Sequence, residues 1–175
     1  MERLRKDHSP EHLHVVLVFV NHSVEEILWT IREADLYGPG LCLQLHGDEP
    51  PEALAGLARR ALKAVRVGKG FTDSEALRYD KAAGLLVDTR LPGETMMPGG
   101  TGVPFDWTLV RGVRERASFL MLAGGLSPDN VAEALEAVRP DAVDVSSGVE
   151  SLPGRKDPEK VHAFVRRVRE WERAQ

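Results

Sequence analysis

Short apolar runs alternate with amphipathic segments along almost the whole chain. Residues 15–20, Val-Val-Leu-Val-Phe-Val, have the continuous apolar character of a buried strand, and Ser23 is a suitable N-cap for a helix over residues 24–36. The same alternation predicts five further strands, over residues 41–46, 64–67, 84–88, 119–123 and 142–145. It also predicts five further helices, over residues 50–61, 73–79, 105–116, 128–138 (capped by Ser127) and 158–173.

Strands that alternate with helices and are apolar along their length indicate a parallel sheet covered by helices. A doubly wound sheet would gather its ligand loops at one switch point, whereas a (β/α)8 barrel spreads functional residues over the ends of many strands. Polar or glycine residues follow at least four of the predicted strands, which favours the barrel. These residues are Gln44, His46 and Gly47, then Asp88 and Thr89, then Gly124 and Gly125, and finally Asp144, Ser146, Ser147 and Gly148.

The chain supplies about six strand–helix units, whereas a closed barrel of this type has eight. We therefore expect an incomplete α/β fold of the (β/α)8 TIM-barrel type. In this interpretation, residues 1–14 are an irregular N-terminal segment and residues 15–175 form a partial barrel in a single domain. Because six strands cannot close a barrel whose tilt and stagger are set for eight, the outer strands would keep open edges. Open edges predict poor solubility, dimerisation through the gap, or completion by residues absent from this sequence.

The twofold period of a strand predicts which residues face the barrel interior. Over residues 41–46 it places Cys42, Gln44 and His46 on one face, and it likewise pairs Leu86 with Asp88 and Asp144 with Ser146. Polar side chains from three strand ends would then converge in one pocket. The alternative is that the two aspartates merely cap the loops that follow them. The repetition of the pattern over three strands favours the pocket.

Three glycine-containing loops predict a phosphate site, because each exposes backbone N–H groups to which an anion could bind. Two of these loops directly follow the fifth and sixth predicted strands. If two strands are missing at the front, these become strands seven and eight, where barrel enzymes often bind phosphate. The predicted phosphate-binding residues are Gly100, Thr101, Gly102, Gly124, Gly125, Ser146, Ser147 and Gly148.

Composition and charge exclude several classes of function. The 175 residues are 42% hydrophobic, which is enough for one domain with a core. The net charge of −4 and the scattered arginines argue against a nucleic-acid-binding function. The sequence shows neither a signal peptide nor a membrane span, and its single cysteine suits a reducing compartment, so we expect a cytoplasmic protein. His8, His12 and His14 have no acidic or thiol partner in a defined pattern, so no metal site is predicted.

Five segments of the sequence resemble the phosphoribosylanthranilate isomerase family of tryptophan biosynthesis. The resemblance runs in order from about residue 15 to residue 164. The segments are Leu-Gln-Leu-His-Gly-Asp-Glu at 43–49, Leu-Leu-Val-Asp-Thr at 85–89, Gly-Gly-Thr-Gly at 99–102 followed by Phe-Asp-Trp at 105–107, Ala-Gly-Gly-Leu-Ser-Pro-Asp-Asn-Val at 123–131, and Asp-Val-Ser-Ser-Gly-Val-Glu at 144–150 with Pro153, Gly154 and Lys156.

The resemblance implies an Amadori rearrangement of N-(5-phosphoribosyl)anthranilate, an aldose–ketose isomerisation that needs an acid, a base and no cofactor. Asp88 matches the family's general acid, whose carboxyl would have to be protonated near neutral pH to open the ribose ring. Asp144 matches the residue that binds the sugar hydroxyls, and Gln44 and His46 belong to the substrate pocket. The glycine loops match the phosphate cradle, and residues 100–102 would close over the substrate.

The sequence departs from the family at its start. The family's base is a cysteine in a Lys-x-Cys-Gly motif at the end of the first strand, and this chain has no such motif. It also lacks the second strand and the Ser-Pro-Arg-like segment that meets the anthranilate carboxylate, for which Lys6 near Ser9-Pro10 is a poor substitute. Cys42 does not replace the base, because it lies four residues, about 13 Å, below His46 along the strand.

Two interpretations of this departure stay open. In the first, the protein is an isomerase that uses an unassigned base or an N-terminal segment missing from the sequence. In the second, it is a non-catalytic remnant that binds a phosphosugar without converting it. A truncated sequence is the preferred account, because neutral decay would not spare Asp88 and Asp144 while removing one contiguous block.

Overall fold

The computed structural model describes residues 15–36, 40–57, 61–68, 70–88 and 107–175. The N-terminal segment predicted for residues 1–14, the glycine loop at 100–102 and Thr89 lie outside these ranges. The strands are β1 (Val15–Phe19), β2 (Leu41–Leu45), β3 (Ala61–Arg66), β4 (Gly84–Asp88), β5 (Leu120–Ala123), β6 (Ala142–Val143), β7 (Glu150–Leu152) and β8 (Arg155–Lys156). The α-helices are α1 (Val24–Glu33), α2 (Asp73–Leu77), α3 (Arg111–Arg116), α4 (Val131–Val138) and α5 (Pro158–Arg173), and 3₁₀-helices span Pro51–Leu57, Trp107–Val110 and Ser147–Val149.

The described residues form two compact units, and the first comprises those up to Ala64 together with Tyr79–Ala83. In this unit β1 pairs in parallel with β2, and β2 pairs in parallel with the start of β3. Helix α1 and the 3₁₀-helix after β2 cover one face of these strands with apolar side chains. The buried core of the unit consists of Phe19, Ile27, Leu43, Leu45, Leu54, Leu57 and Ala61.

The second unit comprises residues 65–78 and 84–175. The end of β3 meets β4 through the N–H of Val67, which donates to the carbonyl of Asp88 at 2.9 Å. Strand β4 pairs in parallel with β5, and β5 pairs in parallel with β6. Strands β7 and β8 form a separate antiparallel hairpin. The core includes Leu86, Val113, Leu120, Leu122, Val131, Leu135, Val149 and Phe164.

Strand order within each unit follows the sequence: β1-β2-β3 in the first and β3-β4-β5-β6 in the second. A doubly wound sheet reverses its strand order at a switch point, and neither unit has such a reversal among its described strands. Parallel strands in sequential order with helical connections are the arrangement of (β/α) barrels. The carboxyl ends of neighbouring strands therefore lie at one edge of the sheet in each unit.

Two helices begin at the predicted residues, and each has a capping side chain at its start. Ser23 caps α1 in a capping box, in which its hydroxyl accepts from the N–H of Glu26 at 3.2 Å and the Glu26 carboxylate accepts from the N–H of Ser23 at 2.7 Å. Helix α5 has the predicted bounds, because Asp157 caps it and Pro158 occupies its first turn. Helix α1 ends at Glu33 rather than at 36, and Asp35 follows with a left-handed φ of 50°.

The prediction for the segment around residue 61 was wrong. The expected helix over residues 50–61 is a 3₁₀-helix that ends at Leu57, and β3 begins at Ala61 rather than at 64. Ala61 and Leu62 suit a helix or a buried strand equally well by their apolar character, and pairing with β2 decides the outcome. Lys63 obscured the strand, because a charged residue is rare in the middle of a buried one.

Other differences concern the starts and ends of elements in the second unit. The helix predicted over residues 105–116 divides into a 3₁₀-helix from Trp107 and α3, and Phe105 lies outside the described residues. Helix α4 begins at Val131, so Ser127 is not its cap. The carbonyl of Ser127 instead accepts from the N–H of Val131 at 3.1 Å, in the turn before the helix. Strands β5 and β6 are shorter than expected, and helix α2 ends at Leu77 rather than at 79. The hairpin of β7 and β8 was not predicted.

Strand β1 carries the largest run of exposed apolar side chains in the described part of the chain. The exposed fractions are 41% for Val16 and 57% for Val18, whereas Phe19 on the opposite face is 6% exposed. Among the described residues, β2 is the only strand that pairs with β1. The face of the strand that carries Phe19 is therefore packed against the core at that residue, whereas the face that carries Val16 and Val18 is exposed.

Candidate active site

The end of β2 carries the predicted Gln44 and His46, and the structure brings these two side chains together. Gln44 is 7% exposed, and its Nε2 lies 2.7 Å from Nδ1 of His46. Because an amide nitrogen only donates, Nδ1 of the imidazole accepts this bond, and the ring proton of neutral His46 resides on Nε2. The backbone N–H of His46 donates to the carbonyl of Phe19 at 2.8 Å, which fixes the residue to β1.

Cys42 lies on the same strand and is half-buried. Burial raises the pKa of its thiol, although hydrogen bonds with the backbone of Leu62 and Leu43 act in the opposite direction. A raised pKa keeps the thiol protonated near neutral pH, whereas a reactive cysteine needs the thiolate. This supports the prediction that Cys42 is not the base.

The turn after His46 is bound to the end of β1 by Asn21 and Glu49. The carboxylate of Glu49 accepts from the N–H of Asn21 at 2.8 Å and from the N–H of Gly47 at 3.0 and 3.1 Å. The side-chain oxygen of Asn21 accepts from the N–H of Asp48 at 2.6 Å. Gly47 is required here, because a Cβ at this position would overlap the Asn21 side chain.

A buried ion pair between Lys63 and Glu49 lies beneath this turn, at a distance of 3.0 Å and with both side chains 3% exposed. The Lys63 ammonium also donates to the carbonyls of Gly47 at 2.7 Å and Ala64 at 3.0 Å, with Leu45 at 3.4 Å. The hydroxyl of Tyr79 donates to the Glu49 carbonyl at 3.2 Å, and the ammonium lies 5.4 Å from the centre of the tyrosine ring. Lys63 is not among the residues predicted from the sequence, where its only signal is a lysine flanked on both sides by apolar residues.

The electrostatic balance at Glu49 favours the ionised carboxylate. Burial alone would raise the pKa of Glu49, but the hydrogen bond from the Asn21 N–H and the hydrogen bond and charge of Lys63 outweigh it, so the pKa lies below its usual value. The Glu49 carboxylate is therefore ionised at neutral pH. This arrangement satisfies the requirement that buried charges be paired and hydrogen-bonded.

In the second unit, Asp88 and Asp144 lie at the same end of β4 and β6, which are separated by β5. Asp88 is the last residue of β4, is 7% exposed and is the register partner of Ala123. Asp144 follows β6, and its N–H donates to the carbonyl of Leu122 at 2.8 Å. Asp144 is exposed. The ends of β4, β5 and β6 therefore lie at one edge of the sheet in this unit.

Two of the predicted phosphate loops contact each other in this unit. Gly124 and Gly125 adopt left-handed φ values of 84° and 62°, which favour glycine. A Cβ on Gly148 would collide with the carbonyl of Leu126, so glycine permits the close approach of the two loops. Asn130 stabilises the first loop, because its side chain donates to the Gly125 carbonyl at 3.0 Å and accepts from the N–H of residue 127 at 2.8 Å.

The second loop, from Ser146 to Gly148, is held by an ion pair on the hairpin that follows it. The Lys156 ammonium donates to the carbonyl of Ser146 at 2.9 Å and lies 2.7 Å from the Glu150 carboxylate. Hydrogen bonds from Lys156 and from the Gly154 N–H lower the pKa of Glu150. Lys160 on α5 donates to the Glu150 carbonyl at 2.8 Å. These contacts connect the loop to the hairpin and to the last helix.

The remaining predicted site residues, Gly100, Thr101 and Gly102, lie outside the described residues. Across the described ranges, no three His, Cys, Asp or Glu side chains are grouped as metal ligands. No helix in those ranges is long and apolar enough to cross a bilayer.

Comparison with protein families gives a match over most of the chain. The sequence model described as N-(5'-phosphoribosyl)anthranilate (PRA) isomerase matches residues 2–167. A curated relative from Myxococcus xanthus, named N-(5'-phosphoribosyl)anthranilate isomerase, is 46% identical over 164 residues, covering 90% of this chain and 74% of the relative.

Solved structures of the same name share the fold. The phosphoribosyl anthranilate isomerase from Thermotoga maritima aligns with a TM-score of 0.79 and 40% identity, over 93% of this chain and 76% of that one. An isomerase in complex with reduced 1-(o-carboxyphenylamino)-1-deoxyribulose 5-phosphate aligns with a TM-score of 0.76 and 36% identity, over 96% of this chain and 77% of that one. The predicted (β/α)8-type fold class, present as an incomplete barrel, is confirmed.

The pKa of Glu49 predicts how stability depends on pH. Replacing Glu49 with Gln leaves the Lys63 charge buried without its ionic partner, which we expect to lower the free energy of unfolding by about 3 kcal/mol at pH 7. Because the folded-state pKa lies below the unfolded value of about 4.3, this contribution is complete above that pH and is lost as the pH falls through the folded pKa. Urea denaturation of both proteins between pH 3 and 7 measures the difference, with exposed Glu52→Gln as control. A difference that did not shrink in acid would contradict the assignment.

Proposed function

This chain belongs to the N-(5'-phosphoribosyl)anthranilate isomerase family, and from this premise we propose that it catalyses the family's Amadori rearrangement, in which the aminoaldose phosphoribosylanthranilate becomes the corresponding aminoketose. The family model spans residues 2–167, and the curated relative from Myxococcus xanthus is 46% identical. The resemblance found in the sequence and the expected isomerase class are thereby confirmed. The alternative of a non-catalytic remnant has no support from these relatives.

The observation that carries the proposal is the position of Asp88. This buried carboxyl ends β4 and is the register partner of Ala123, the residue that immediately precedes the Gly124–Gly125 loop. An acid and an anion-binding loop are therefore adjacent on neighbouring strands. A substrate with its phosphate at the loop would present its sugar to the strand ends, where Asp88 and Asp144 lie.

Each step of the reaction needs a group of a defined kind. We assign Asp88 as the general acid that protonates the ribose ring oxygen, which opens the ring, and Asp144 as a hydrogen-bonding partner of the sugar hydroxyls. Backbone N–H groups of Gly124, Gly125, Ser147 and Gly148, with Ser146, bind the phosphate. Gln44 and His46 bind the remainder of the substrate. Removal of the C2 proton needs a base, and we assign no residue of this chain to that step.

The proposal also covers the ligand, the partners and the cellular compartment of the protein. A small phosphosugar is the ligand, no cofactor takes part, and neither nucleic acid nor membrane is a partner. The solved complex with a reduced aminoketose phosphate supports a ligand of this chemical class. We place the protein in the cytoplasm.

The activity is tested by following conversion of the fluorescent anthranilate adduct. We expect turnover by the chain and a loss of about 10²-fold or more in Asp88→Asn, because an amide cannot donate the proton that opens the ring. Asp129→Asn, an exposed aspartate in the same unit, is the matched control and should retain full activity. Binding of the reduced aminoketose phosphate without any turnover by the unmodified chain would overturn the proposed activity and favour the remnant.

The phosphate loop is tested by Glu150→Gln. If the ion pair with Lys156 holds the loop in place, we expect affinity for inorganic phosphate to fall about fivefold, the equivalent of one lost hydrogen bond. If charge alone governed binding, removal of a carboxylate would instead tighten it. Calorimetric titration at fixed ionic strength distinguishes the two signs, with exposed Glu133→Gln as the control for net charge.

We also propose that the chain self-associates through β1. Among the described residues only β2 pairs with this strand, and its exposed valines favour pairing between two copies. We expect the 19.3 kDa chain to sediment as a larger species and Val16→Lys/Val18→Lys to sediment as a monomer. Val165→Lys, at a 41% exposed valine of α5, should not change the sedimentation coefficient. A monomeric unmodified chain would contradict this prediction.

A further inference from the structure

We propose that Lys63 is a positioning residue for His46, and that its buried ammonium sets the orientation in which the imidazole meets the substrate. The proposal rests on the function proposed above insofar as His46 contacts the ligand. Lys63 does not itself touch the imidazole in the described contacts, so it acts through the backbone on either side of it.

The Lys63 ammonium contacts the backbone on both sides of His46. Its Nζ lies 3.4 Å from the carbonyl of Leu45, the residue before the histidine, and donates to the carbonyl of Gly47, the residue after it, at 2.7 Å. It also contacts the Glu49 carboxylate and the Ala64 carbonyl, each at 3.0 Å. Four acceptors around three ammonium protons leave no hydrogen of the group unused. The peptide units flanking His46 are therefore fixed by one charge.

Glu49 completes the frame from the opposite side of the turn. Its carboxylate accepts from the N–H of Gly47 and from the N–H of Asn21, while its carbonyl accepts from Tyr79. The chain from residue 45 to residue 49 is thus bound at both its carbonyl and its N–H groups. Rotation of the turn would break several of these bonds at once inside a buried site, which makes the backbone at His46 rigid.

Rigidity of the backbone matters because the imidazole is already oriented at one nitrogen. The bond from Gln44 to Nδ1 selects the tautomer that carries its proton on Nε2. An imidazole held in this way has one preferred orientation. Under the function proposed above, we infer that it meets an oxygen of the substrate, either a carboxylate or a hydroxyl.

Stability alone gives little reason for a buried ion pair at this position. Replacing such pairs with apolar side chains of similar volume is often neutral or stabilising, because desolvation offsets the attraction between the charges. Apolar side chains, however, cannot bind the carbonyls of Leu45 and Gly47 or the N–H groups of Gly47 and Asn21. The ion pair therefore contributes the geometry of the turn.

The test uses the full chain and the double variant Lys63→Met/Glu49→Gln, which removes the ammonium without leaving a buried charge unpaired. Lys81→Met, an exposed lysine of the same unit, controls for loss of a positive charge, and Ile27→Val, a buried residue of α1, controls for reduced stability. Two properties are measured: the ¹⁵N chemical shifts of the His46 ring, and the affinities for reduced 1-(o-carboxyphenylamino)-1-deoxyribulose 5-phosphate and for inorganic phosphate.

We expect the ring of His46 to show the single Nε2–H tautomer in the unmodified chain and in both controls, and a mixture of tautomers in the double variant. Affinity for the aminoketose analogue should fall about tenfold in the double variant, while affinity for inorganic phosphate stays within a factor of two. His46→Ala should weaken analogue binding about tenfold in the unmodified chain and hardly at all in the double variant, because the two changes remove the same interaction.

Three outcomes would overturn the positioning role. They are unchanged ring shifts in the double variant, equal losses of affinity for both ligands, and a full additional effect of His46→Ala in the double-variant background. If the unmodified chain did not bind the analogue, the proposed function would fail. The ring shifts would then still decide whether Lys63 orients His46.

Discussion

Parallel pairing of consecutive strands is the constraint on which the rest of this structure depends. Each helical connection returns the chain to the same edge, so that every strand within a unit ends where its neighbours end. The register of β4 with β5 thereby places Asp88 beside Ala123 and next to the loop at Gly124. The register of β1 with β2 places Asn21 beside the turn after His46 in the same way. Residues that are far apart in sequence therefore become adjacent within each unit because of the sheet.

The strand ends of the two units are fixed by different means. In the first unit a buried charge, Lys63, binds the backbone of the turn after β2, and both partners of the ion pair are almost wholly excluded from water. In the second unit glycine geometry brings two loops together, and the half-exposed Lys156 holds one of them from outside. A turn that orients a side chain needs its backbone bound at many points. A loop that offers N–H groups to an anion needs mainly close approach and left-handed backbone, which glycine provides.

Local signals predicted much of the fold and part of the site. Ser23 predicted the start of α1, and the twofold period placed Gln44 and His46 on one face of β2. Features that depend on tertiary contacts could not be predicted from the sequence. Ala61 joined a strand because β2 was available to pair with it, and Lys63 was tolerated there because acceptors from residues 45, 47, 49 and 64 surround its ammonium. Such a set of acceptors is assembled only by the fold, so nothing in the local sequence reports it.

Strand β1 is hydrogen-bonded to the turn that carries His46. Its Phe19 carbonyl accepts from the N–H of His46, and Asn21 directly after it binds both Asp48 and Glu49. The same strand exposes Val16 and Val18 and pairs, among the described residues, with β2 alone. Because β1 supplies these contacts, the position of the turn after His46 depends on the pairing of β1 with β2 as well as on the ion pair beneath the turn.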